Sequence, residues 1–184
     1  WALPLPSPDV KLKRIDRREL INQLDQEDHG VQNHMAALVA LKTDYWFRPI
    51  ILRSFLVILN QIFYRALLPD WFKGKLFGIP TVHFAQWVLL DQRNFVFLSN
   101  YDQSWTTYLD DFGQVLTTGI QKIWGQGAHN PGVTDLGTFK DYVRTVMVPY
   151  STWYSAYPDL TVRQIINTEN IRRTIDKRVD EEAA

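Results

Sequence analysis

Two runs of strand length, joined by four polar residues, constrain this chain most. Residues 80–90 read Pro-Thr-Val-His-Phe-Ala-Gln-Trp-Val-Leu-Leu, and residues 95–102 read Phe-Val-Phe-Leu-Ser-Asn-Tyr-Asp. Both are rich in β-branched and aromatic side chains. The Asp-Gln-Arg-Asn between them at 91–94 is turn-forming, so the whole reads as a β-hairpin. The second run ends in Ser-Asn-Tyr-Asp just before a strongly periodic helix. Hydrogen-bonding side chains thus collect where a strand hands over to a helix, a place where sites are often built.

The rest of the chain supplies partners for that hairpin. Residues 31–42 alternate at first and then turn uniformly apolar, which suits a central strand, with a helix as the competing reading. Pro49 is well placed for a first helical position. Residues 50–67 then read as a helix with Arg53, Ser54, Asn60, Gln61 and Arg65 on one stripe and aliphatic or aromatic residues elsewhere. Pro69 ends it, and a basic, aromatic loop follows at 70–78. Beyond the hairpin, Ser104 is a candidate N-cap. Trp105, Tyr108, Leu109, Phe112, Val115, Leu116, Ile120 and Ile123 recur at helical steps up to the stop at Gly125 and Gly127. A shorter helix opens at Asp135, and Pro149 breaks it. Residues 151–157 have the composition of a last strand, a C-terminal helix covers 161–177, and an acidic tail closes 178–184. Residues 1–30, with Leu-Pro-Leu-Pro-Ser-Pro and a charge-dense stretch that could form a short helix around 16–25, read as an arm or linker.

Strand, helix, strand, strand, helix, strand is the split βαββαβ order of a ferredoxin-like α+β domain, here over 31–177, with helices on one face of an antiparallel sheet. Yet His83, Ala85, Trp87 and Leu89 alternate with Val82, Phe84, Gln86 and Val88. Such a strand is apolar on both sides. Its uncovered face is expected to meet a second copy, a companion domain or subunit, or a hydrophobic ligand.

Composition narrows the classes. A chain of 184 residues, 46% hydrophobic, holds one domain with extensions and can bury a core. Its formal charge is zero, so no overall field favours a polyanion and nucleic acid is not an expected partner. It has no cysteine, which removes disulfides, thiolate metal sites and thiol catalysis and is compatible with a reducing cytoplasm, the expected compartment. Opening on Trp1 rather than Met, the chain is expected to be cut from a longer product.

His-Phe-Ala-Gln-Trp at 83–87, Ser-Asn-Tyr-Asp-Gln-Ser at 99–104 and Trp-Tyr-Ser-Ala-Tyr-Pro at 153–158 resemble a group of proteins with the typical pattern His-Phe-Ala-Arg-Trp, then Ser-Asn-Tyr-Asp-Gly-Ser. The resemblance runs over 31–173. That group is similar to the dimeric α+β barrel superfamily, whose best-known enzymes are haem peroxidases of the dye-decolorizing type. The resemblance implies a homo-oligomer and a peroxidase-like oxidoreductase acting on a small or lipidic hydrophobic substrate. Haem would lie near His34, His83 and Trp87, with Asn100 and Asp102 orienting peroxide. Two positions depart from the pattern. Gln86 stands for Arg, which would remove a charge able to serve an anionic ligand, and Gln103 stands for Gly.

The residues themselves leave alternatives open. His83 is a titratable ring in an apolar strand, suited to haem ligation or acid–base work, or equally a sheet histidine satisfied by its neighbours. His34 joins it only if the register puts both on one face. Asp102 could act as an acid or base if buried. Otherwise Asp102 and Ser104 serve the free amides and dipole of the helix that follows. His29 and His129 fall in loops. No His-Glu-x-x-His, Walker or Gly-x-Ser-x-Gly motif occurs, so a metal site built by protein alone is not expected. The second functional class is a docking module. Arg48, Arg53 and Arg65, with Trp71 and Phe72, have the basic and aromatic character of an interfacial anchor, peripheral at a membrane. Its apolar run falls short of the roughly 20 residues needed to span, and burial between the sheet and a partner domain is the competing reading.

Overall fold

The computed structural model describes residues 30–64, 75–76, 78–115, 117–132 and 135–182, together with the helical positions 18, 21, 22 and 25. In chain order the elements are β1 (Gln32–Ala40), α1 (Arg48–Tyr64), β2 (Val82–Leu89), β3 (Asn94–Asp102), α2 (Trp105–Val115), α3 (Thr117–Trp124), α4 (Leu136–Val146) and α5 (Val162–Glu182). The fold is α+β. Its sheet is three-stranded and antiparallel in the order β1-β3-β2.

The hairpin forms as its sequence dictates. The Asp91 carboxylate accepts the amides of Arg93 at 2.6 Å and Asn94 at 2.7 Å, closing the turn. In central β3, Phe95, Phe97, Ser99 and Tyr101 point to one side, opposite Val39, Ala37, Met35 and Asn33 of β1. These apolar residues join Trp105, Tyr108, Phe112, Trp124, Phe139 and Val143 from the helices in one core. Tyr101 and Tyr108 stack with ring centroids 4.0 Å apart, and Trp124 meets Phe95, Phe97 and Phe139 edge-on. Each such ring contributes about 2–3 kcal/mol by burial alone. The Tyr108 hydroxyl donates to Ser99 Oγ at 2.9 Å, and Ser99 donates in turn to the Phe84 carbonyl at 3.1 Å. Burial pushes the Tyr108 hydroxyl pKa upward.

Two sequence expectations need correction. Residues 151–157 form no strand. The outer edge of β1 instead takes an isolated bridge from Met147 to Ala37, with the Val148 amide on the Ala36 carbonyl at 2.9 Å, and a second bridge between Leu41 and Gly127. Beyond Pro149 the chain docks on β1 by side chains rather than by a ladder, as described below. The helix expected after the hairpin is found as α2 and α3, on either side of position 116, which lies outside the described residues. Second, α5 runs through the stretch expected to be an acidic tail as far as Glu182. From Ile171 onward all its described side chains are exposed, and ion pairs of Arg172 and Arg173 with Glu169 and of Arg172 with Asp176 support it. The two arginines hold the Glu169 carboxyl at about 2.

Candidate functional site

A one-residue irregularity in β2 builds the site. Val82 pairs with Tyr101 but Phe84 pairs with Asn100, so His83 is the extra residue of a bulge. Val82 is buried on the core side with Ala85, Trp87 and Leu89, while His83 turns to the opposite face. On that face β3 presents Asn100 and Asp102, and β1 sets His34 opposite Asn100 and Gln32 opposite Asp102. Four of the residues singled out in the sequence, His34, His83, Asn100 and Asp102, therefore meet at one end of the open face. Trp87 does not. Its ring packs on Phe97 at 5.1 Å on the core side, because the bulge breaks the simple alternation that would have grouped it with His83.

Each side chain in this corner has a partner. His83 Nε2 donates to Asp102 Oδ1 at 2.7 Å, and the other carboxylate oxygen accepts the amide of Val162, the first residue of α5, at 3.0 Å. Asp102 is only 4% exposed. His34 Nδ1 lies 2.8 Å from Asn100 Oδ1, with Tyr150 edge-on at 5.2 Å and Trp153 stacked at 6.3 Å. The Gln32 amide donates to the carbonyls of Tyr157 and Leu160, both at 2.6 Å, and accepts from Ser155 Oγ at 2.7 Å. Asn33 donates to the Gln103 carbonyl at 2.6 Å, and the Gln103 amide donates to Val31 at 3.2 Å.

These bonds form a clasp. They fasten residues 150–162 and the root of α5 to the sheet, taking the place of the missing ladder. Buried polar groups of this kind are costly unless paired, and a fully paired network holds its parts in one geometry. Asp102 does serve a helix amino end, where its charge complements the dipole. The helix is α5, however, not α2. Gln103 has φ 71, and this left-handed residue turns the chain away between Asp102 and α2. Ser104 caps α2 instead, accepting from the Thr107 amide at 3.4 Å.

Haem fits this arrangement poorly. The ring nitrogen of His83 farther from the main chain is spent on Asp102, and aromatic rings flank His34. Among the described residues, no group of three His, Asp or Glu is placed to hold a metal ion.

The expected anchor residues divide. Arg48 is engaged, bonding Asp44 at 2.5 and 2.6 Å and Gln126 at 2.9 Å and lying over the Tyr45 ring. Its hydrogen bonds hold the Asp44 carboxyl below the usual range. Arg53 is exposed. Arg65, Trp71 and Phe72 lie outside the described residues. The sequence reading offers the helix 50–67 as a contact element but does not single out its outward aliphatic residues. Leu52 and Leu59 are buried, yet Ile50, Ile51, Val57 and Ile58 are each more than half exposed, and Trp46 just before the helix is 82% exposed. The recurrence of apolar pairs at 50/51 and 57/58, two helical turns apart, was the available signal.

Fold and site together define an α+β protein with a three-stranded antiparallel sheet, clasped at one end by buried polar residues. No family model, no curated protein and no solved structure matches the chain.

Proposed function

We propose that this chain is a non-catalytic docking module that lies against a membrane surface through the outward side of α1. One observation carries the reading. A helix packed on a body needs a single apolar stripe, and α1, with Leu52 and Leu59 facing in, also exposes Ile50, Ile51, Val57 and Ile58 on its outward side, interspersed with Ser54 and Gln61. Exposed apolar patches of this kind mark contact surfaces. Tyr45, Trp46 and Phe47 cluster at the start of the helix, with ring centroids 5.2 Å apart for Tyr45–Phe47 and 6.0 Å for Trp46–Phe47. Aromatic residues of this type favour the headgroup level of a bilayer. Among the described residues, no helix is long and apolar enough to cross a membrane, so α1 lies in the interface plane. The body behind it fits a ferredoxin-like reading, since β1-β3-β2 is the order of the first three strands of that fold. Ala36, Leu38, Val88, Val96 and Leu98 on the open sheet face favour a second copy or companion there.

Co-sedimentation with phospholipid vesicles tests the reading. The protein is expected in the pellet, and the Ile51→Asp/Ile58→Asp double variant in the supernatant with its circular dichroism unchanged. Wild-type protein that stays in the supernatant at low salt, even with anionic vesicles, overturns it.

The convergence of His34, His83, Asn100 and Asp102 favours a second reading, a haem-peroxidase-like oxidoreductase, which requires His83 to leave Asp102. A Soret band after addition of haem supports that reading, and a protein that takes up none removes it.

A further inference from the structure

We infer that the membrane surface α1 meets is anionic, its lipids presenting phosphate or carboxylate headgroups to the basic residues on α1 and in the sequence just beyond it. This deepens the membrane reading and rests on it. The chain as a whole balances its charges, with 20 basic and 20 acidic residues, so any local excess reflects placement. Between 45 and 78 the sequence has Arg48, Arg53, Arg65, Lys73 and Lys75 against Asp70 alone. The seventeen residues of α1 include no acidic side chain. Arg53 is exposed on the helix that bears the outward isoleucines, and Lys75 is exposed beyond it. Arg48 adds nothing net, because Asp44 neutralises it. The compensating acid lies elsewhere in the sequence, chiefly between 79 and 160, where seven aspartates stand against four basic residues, while α5 balances five of each. A docking protein with a neutral partner gains nothing from such segregation. An anionic bilayer does reward it, by about fivefold in binding for each basic residue held near the surface. The apolar stripe would supply attachment and the basic residues would choose the lipid.

The experiment compares binding of the whole chain to vesicles of phosphatidylcholine alone and of phosphatidylcholine with phosphatidylserine, at low and high salt. Binding at least tenfold tighter with phosphatidylserine, falling as salt rises, is the expected result. Arg53→Glu should lose about tenfold of that preference while keeping wild-type binding to phosphatidylcholine, and Arg53→Lys should retain it. Equal, salt-insensitive binding to both vesicles overturns the anionic choice and leaves the membrane reading standing. Binding to neither vesicle overturns both.

Discussion

The polar corner of the sheet and the outer side of α1 are opposites. The corner holds the residues that look chemical, two histidines, an asparagine and a buried aspartate. Each is spent on another part of the same chain, Asp102 on His83 and Val162, Asn100 on His34, Gln32 on Tyr157 and Leu160. The outer side of α1 leaves bland aliphatic residues, Ile50, Ile51, Val57 and Ile58, exposed among Arg53, Ser54, Asn60 and Gln61. Burial rewards pairing for the first set and removal from water for the second. One requirement is met inside the chain, while the other is not met among the described residues. A site is better sought where a physical demand is still open than where residue types look reactive.

The largest effect is expected at the clasp. Asp102→Ala strands the His83 Nε2–H and the Val162 amide in a buried corner, which costs about 3 kcal/mol. Denaturant unfolding measures the loss, and hydrogen exchange at the root of α5 should speed up. A loss under about 1 kcal/mol with unchanged exchange would mean that the corner is not a fastener, and the contrast with α1 would collapse.

The sequence disclosed this corner only in part. Residue types at 83, 100 and 102 stood out because a polar cluster ending an apolar strand is conspicuous. Their shared face depended on the bulge at His83, which simple alternation hides, and the same bulge sends Trp87 to the core side. The bond from Val162 to Asp102 spans 60 residues, beyond any local pattern. The false strand at 151–157 failed for a related reason. Aromatic composition served equally well for Trp153 stacked on His34, and the Gln32 side chain satisfies carbonyls a ladder would have used. The hairpin was legible because its turn chemistry is local.

A smaller effect of opposite sign is expected at the edge of the corner. Gln103 holds φ 71, where a side chain costs about 1–2 kcal/mol and glycine sits freely. Gln103→Gly also loosens the unfolded chain, which offsets roughly 0.5–1 kcal/mol of that relief. The net is a stabilisation of about 0.5–1 kcal/mol, readable as a higher denaturant midpoint with unchanged slope. The bonds of this residue run through its backbone, its carbonyl to Asn33 and its amide to Val31, so glycine keeps them. A destabilised variant would show that the Gln103 side chain contributes to the clasp.

The smallest effect belongs to α1. Ile58 is 59% exposed, so little of its side chain leaves water when the chain folds. Ile58→Ser should shift stability by no more than about 0.5 kcal/mol, the usual range for a surface change. The same substitution should weaken vesicle binding several-fold, since the lost area is the area offered to the bilayer. Stability and binding then separate, which is the mark of a residue kept for contact rather than for folding. A drop in stability of about 2 kcal/mol or more, the size expected for truncating a buried isoleucine, would place Ile58 under cover within the chain. The outer stripe would then be part of the core, and the open demand on which the docking surface rests would be gone.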